Sequence, residues 1–161
     1  MKCSQCGEVH GVDEMELTFQ RPDIAAQLTP EERAQRVQGN SDLCVLDGER
    51  FFVRAVFPLP VESSERSYNI GLWVEVPQLA FERIYELWDD PNQHLEAPFE
   101  ARIANDIPTQ PESLGLAANL HLTDHKTRPS VFLREASHSL FFEQTSGISK
   151  HRAHEYSTVF P

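Results

Sequence analysis

The sharpest chemistry in the chain sits in its first ten residues, Cys3-x-x-Cys6-Gly7-x-x-His10. A two-residue gap lets two thiolates face one ion from a tight turn, and Gly7 can take the positive φ that such a turn requires. Zn²⁺ is tetrahedral and prefers thiolate and imidazole ligands. Cys3, Cys6 and His10 supply three, so a fourth must come from elsewhere. Cys44 is the best candidate by type, with His138 and His151 behind it. A thioredoxin-like redox pair is the rival chemistry, but it needs a cysteine at a helix N-terminus after a strand, and only two residues precede Cys3. Two free surface thiols are the plain alternative. Cys44 also has one of its own, since a small cysteine in Leu-Cys-Val-Leu suits core packing as well as it suits ligation.

Other constellations carry less. His121-x-x-x-His125 lies at a strand end, where that spacing does not converge, and His151-x-x-His154 lies in a polar tail segment. Asp89-Asp90 reads as a solvated turn. Arg54, inside Phe-Phe-Val-Arg-Ala-Val, either faces solvent by strand alternation or forms a paired interior charge. Phe52 and Trp73 suit the apolar face of a sheet, and the same rings could line a pocket. The chain contains no GxGxxG, P-loop, HExxH or GxSxG pattern. The enzyme question is therefore open and leans towards no.

These residues need elements to position them. Thr29-Pro30-Glu31-Glu32 is a helix start, with Thr29 as cap and Pro30 at the first helical position. Gly39-Asn40 is expected to stop that helix. Leu43–Leu46 and Phe51–Phe57 read as two strands joined at Asp47-Gly48, the second ended by Pro58 and Pro60. Tyr68–Val76 is a third strand. Gln78–Trp88 carries a one-sided helical stripe, and Phe99–Ile103, Leu116–Leu122 and Val131–Leu133 are further strands. Two short helices follow, near Ser137–Gln144 and Ser149–Tyr156, split by Gly147. The order predicts an α+β fold, a mainly antiparallel sheet with covering helices and an N-terminal Cys/His knuckle. The expected core is Leu46, Phe52, Val53, Val56, Ile70, Leu72, Trp73 and Val74, with Leu79, Ile84 and Leu87 from the covering helix.

At 161 residues the chain is about one domain, 1–161, with the knuckle at 1–12 and the α+β body at 13–161. Fourteen Lys and Arg against 25 Asp and Glu give a net charge of −11, which argues against nucleic-acid binding and favours a basic protein partner. No apolar run suits a signal peptide or a membrane span, so a cytoplasmic location without membrane contact is expected. The sequence is silent on oligomeric state.

Several pieces, in order along nearly the whole chain, resemble the bacterial domain of unknown function 2199 family. They are Cys3-x-x-Cys6-Gly7-x-x-His10, Ser41-Asp42-Leu43-Cys44, Phe51-Phe52-Val53-Arg54, Gly71-Leu72-Trp73-Val74, Arg128-Pro129 and Glu143-Gln144-x-x-Gly147-Ile148. The resemblance implies that Cys3, Cys6, His10 and Cys44 belong to one shared feature, and it brings no activity. Three functions follow as expectations. The first is a small binding or adaptor protein with a structural zinc. The others are an immunity-type inhibitor of a bacterial toxin and a metal-dependent enzyme with an open coordination position.

Overall fold

The computed structural model describes residues 15–159. Cys3, Cys6 and His10, and with them the expected knuckle, lie outside the described residues. Among those described, seven strands form one sheet in chain order: β1 (Val37–Gly39), β2 (Leu43–Leu46), β3 (Arg50–Leu59), β4 (Tyr68–Val76), β5 (Phe99–Ile103), β6 (Ala117–His121) and β7 (Ser130–Leu133). Every consecutive pair is antiparallel. The sheet then closes on itself through a pairing of β3 with β7, where Val56 meets Ser130. Strands β3 to β7 thus make a five-stranded barrel, and β1–β2 extends from the edge of β3. The closing pair is parallel because in an up-and-down meander of five strands the first and last run the same way. The fold is α+β with a mainly antiparallel sheet, as expected, and closure into a barrel is the feature that strand patterns did not reveal.

Period-2 alternation fills the barrel. Val53, Val74 and Ile103 form one cross-strand row, and Ala101, Ala118 and Leu133 another, all buried. The outer face of β3 carries Phe52, Arg54 and Val56. Val56 is therefore only half-buried, and Ala55 and Phe57 take the inner positions instead. Strand β3 runs on through Pro58, which was expected to end it. The amides of Arg54 and Val56 point to the β2/β7 edge, towards Asp42 O and Pro129 O. Pro58 faces the same edge two residues beyond the short β7 contact, where its missing N–H leaves no ladder bond unmade.

Helix α2 (Pro30–Arg36) starts as expected: Thr29 Oγ1 accepts the Glu32 amide at 3.2 Å, and Glu32 Oε1 accepts the Thr29 amide at 3.0 Å. It ends earlier than expected. Val37–Gly39 turns into β1 and pairs with Cys44–Leu46, so Gly39-Asn40 is a hairpin turn. Gly39 has φ +140°, and a Cβ there would sit 2.0 Å from Leu43 O. Only glycine fits.

Helix α3 (Gln78–Leu87) packs on β3 through Phe81, Ile84 and Leu87, with Phe81 against Phe51 at 5.2 Å between ring centroids. Leu79, expected in the core, is 80% exposed. At 3.6 residues per turn it sits about 140° around the helix from Ile84, off the packed stripe.

Helices α4 (Ser139–Ser146) and α5 (Lys150–Thr158) cover the barrel seam. Gln144 of α4 is buried and stands where β3 and β7 part. Its Oε1 accepts the Leu133 amide at 2.9 Å, and its Nε2 donates to Val131 O at 3.0 Å and Pro58 O at 3.3 Å. A side-chain amide here completes a ladder that the backbone leaves open. Glu143, beside it, accepts from Arg152 Nε at 2.7 Å and Gln110 Nε2 at 2.8 Å and also binds the Tyr156 hydroxyl, which ties α5 down. Burial and the Glu143 carboxylate push the Tyr156 phenol well above its usual value.

His138 caps α4. Its Nδ1 accepts the Leu140 amide at 3.0 Å, and its Nε2 faces Pro111 O at 2.8 Å, a pairing that needs the Nε2–H tautomer. His138→Ala is expected to cost about 0.5–2 kcal/mol, the range for lost N-caps, read as a shift in the denaturant midpoint with unchanged slope.

Among the described residues no helix is long and apolar enough to cross a membrane.

Candidate arginine cleft

The outer face of the β2–β3–β4 ribbon brings the chemistry-bearing residues together. Cross-strand partners share a face, so Cys44 lies beside Phe52, and Arg54 beside Trp73. The chain before α2 folds over this face. Leu17–Phe19 runs parallel to β4 at Gly71, with Phe19 N–H to Gly71 O at 2.7 Å and Gly71 N–H to Leu17 O at 2.9 Å. A Cβ on Gly71 would meet the Thr18 side chain at 3.1 Å, so this close approach also suits glycine. The Trp73 indole donates to Phe19 O at 3.1 Å and its amide to Asn105 Oδ1 at 2.8 Å, which fixes the ring beneath the strap. Asn105 in turn donates to Asp23 and to Arg21 O, both at 2.9 Å, and so positions α1 (Asp23–Ala26).

Between this strap and the β1–β2 hairpin a cleft of ≈ 440 Å³ remains open. Arg21, Asn40, Cys44, Arg54 and Trp73 are among its walls. Arg54 satisfies neither reading of its sequence position. It is on the outer face by alternation, yet half-buried, and it has no carboxylate partner among the described residues. Its guanidinium carbon lies 5.9 Å from the Trp73 ring centroid. Nη1 donates to Ser41 O at 3.3 Å, while Nε is sealed from solvent with no acceptor among the described residues. Burial, reinforced by the nearby Arg128 charge and opposed by Asp42, pulls Arg54 below the usual arginine range. Asp42 itself is taken by Arg128, at 2.8 Å.

Cys44 is a buried free thiol that packs in the core cluster, the core-packing half of its sequence reading, and it also borders the cleft. Burial pushes its thiol up, and the Arg21 charge pulls it partly back. Of the four residues expected to bind zinc, Cys44 alone is among those described. Among the described residues no three His, Cys, Asp or Glu side chains converge as a metal site. The two reserve ligands stand elsewhere. Both ring nitrogens of His138 are engaged, Nδ1 in capping α4 and Nε2 with Pro111 O, and His151 lies in α5, 3.6 Å from Glu155. Neither lines the cleft.

Arg21 was missed in the sequence. Its one local signal is the following Pro22, which biases it to an extended backbone and says nothing of what it faces.

A family model described as "Uncharacterized protein conserved in bacteria (DUF2199)" matches residues 2–148. No curated protein and no solved structure matches the chain.

Proposed function

For a chain that belongs to the uncharacterised bacterial family DUF2199, we propose a small binding protein that seats an anionic group in the Arg54 cleft. One observation carries this reading: Arg54 is half-buried with no ion-pair partner among the described residues, in a protein with 25 acids and 14 bases. Carboxylates are plentiful, and Arg36, Arg50, Arg83, Arg128 and Arg152 each hold one within 2.8 Å. A cation partly stripped of water and left without an ion-pair partner costs free energy, and a ligand that brings the missing charge recovers it. Arg21 adds a second charge at the rim. Cys44, its thiol pushed up by burial, is protonated at neutral pH and is a weak nucleophile there, which supports binding over covalent catalysis. The expected result is that sodium acetate raises the melting temperature above that in sodium chloride at equal ionic strength, and that Arg54→Met abolishes the difference. Equal melting temperatures in the two salts would refute the reading.

A second reading rests on the Cys44 thiol at the cleft wall, a soft ligand of the type zinc prefers. Zn²⁺ held by Cys3, Cys6, His10 and Cys44 would tie the N-terminal segment to β2, a structural role for an adaptor. The net charge of −11 supports a basic partner for such a protein, a toxin among them. About one zinc per chain by elemental analysis, lost in Cys44→Ser and at low pH as thiolates protonate, is the expected result. Metal-free protein whose Cys3 and Cys6 both alkylate freely would overturn it.

A further inference from the structure

We infer that the anion seated in the Arg54 cleft is the carboxylate of a small organic acid with a short apolar body. This deepens the binding reading above and rests on it. The argument begins with the donors that are left. Phosphate sites are usually built from several free backbone amides curled into a nest. Here three of the hairpin amides are spent. Asn40 N–H donates to Leu43 O at 2.9 Å, and the amides of Asp42 and Leu43 both donate to Asn40 Oδ1, at 2.8 and 2.9 Å. On the opposite wall the Asp23 amide donates to Ala104 O at 3.0 Å. The charged donor that remains is guanidinium. Arg54 borders the cleft with an Nη2 that has no acceptor among the described residues and an Nη1 held only by its 3.3 Å contact to Ser41 O. That planar end offers two parallel N–H donors, the fork that matches two carboxylate oxygens.

The rest of the cleft decides what the carboxylate is attached to. Pro22, Ala25, Val37 and Leu43 give it an apolar patch beside the polar Gln20, Gln38, Asn40 and Ser41, with Trp73 behind Arg54. Its ≈ 440 Å³ is small-molecule size. One charged end and an apolar patch beside it select a monocarboxylate with a few carbons over a polyanion. The surrounding charge of −11 acts in the same direction, since it repels a dianion more than a monoanion.

The test is a titration of the full chain, at constant ionic strength and pH 7, with butyrate, hexanoate, hexanamide and inorganic phosphate. It is followed by NMR of the Trp73 indole N–H and the Arg54 side chain. Hexanoate is expected to bind more tightly than butyrate by about fourfold per added methylene that is buried. Phosphate and hexanamide are expected to bind at least tenfold more weakly than hexanoate. Arg54→Met should weaken hexanoate at least tenfold, and Arg54→Lys, which keeps the charge and loses the fork, should fall between. Arg21→Gln, on the exposed rim, provides a variant that leaves the strap packing alone, and it too should weaken hexanoate. Phosphate binding more tightly than hexanoate, with the same dependence on Arg54, would overturn the carboxylate and leave the anion cleft standing. Hexanamide binding as well as hexanoate would overturn it too. Failure of both anions to show any binding that depends on Arg54 or Arg21 would overturn the cleft reading itself.

Discussion

Trp73→Ala is expected to destabilise the protein by about 3–5 kcal/mol, the range for removing a large aromatic side chain from a core. Trp73 is 1% exposed and sits in a row between Arg54 and the Leu17–Phe19 strap. Removing it leaves a cavity on the outer face of the barrel and takes the hydrogen-bond donor from Phe19 O. The interior rows of β3–β7 do not include it. The loss should therefore show as a melting temperature lower by roughly 6–20 °C for a protein of this size. Hydrogen exchange should quicken first at Leu17–Ala25, whose cover depends on the ring, and last at Val53, Val74 and Ile103. An unchanged melting temperature would contradict the core assignment. Faster exchange spread evenly through the barrel would contradict the separation of strap from barrel.

Gln144→Leu is the second large effect, at about 2–4 kcal/mol. The new side chain is similar in size and apolar, so the cavity contribution is small. The cost comes from the Leu133 amide and the Val131 carbonyl, both buried, and from the half-buried Pro58 carbonyl, at about 1–3 kcal/mol for each buried group that finds no substitute. A finer test is Gln144→Glu. A carboxylate can still accept from the Leu133 amide, but its second oxygen then faces two carbonyl oxygens. The folded-state pKa of that group is expected to rise, because only the protonated form can donate to those carbonyls. A group whose folded pKa is raised stabilises below its unfolded value, near 4.3 for glutamate, and loses that stabilisation as pH rises through the folded value. The stability deficit of Gln144→Glu against wild type should thus be small in mild acid and widen towards neutral pH. A deficit independent of pH would show that the seam does not depend on that donor.

Much of the local structure was legible in the residues. Leu43–Leu46, Tyr68–Val76 and Phe99–Ile103 have the strand bounds that their β-branched and aromatic runs indicate. Thr29 and Pro30 start a helix because a cap and a fixed φ act within one turn of chain. Gly147 splits the last two helices with a φ of +91°, as a glycine between two helical runs suggests. The α+β class follows from these pieces, since the order of helical and strand periods is itself a local property. The family resemblance lay in the same residues, and the match over 2–148 bears it out.

What the chain alone left open depends on segments far apart in sequence. Closure of β3 on β7 joins Val56 to Ser130, and no hydrophobic period in either strand distinguishes an open sheet from a closed one. Pro58 reads as a strand breaker until the edge it faces is known to lack a partner there. Leu79 reads as core because its type is apolar, and only the angle at which α3 lies on β3 turns it outward. Gln144 looks like a polar residue on a short helix, and its value lies in two strands that happen to part beneath it. The arginine cleft is the strongest case. Arg21 and Arg54 line one cleft because the Leu17–Ala25 strap crosses β4 at Gly71, and whether a charge is paired depends on which carboxylates the fold brings near. Sequence by itself determined which segments become helix or strand, because caps, turns and side-chain periods act over a few residues. Tertiary structure alone decided which of their faces are covered and which charges are left without partners, because burial and Coulomb attraction act between whatever packing places side by side.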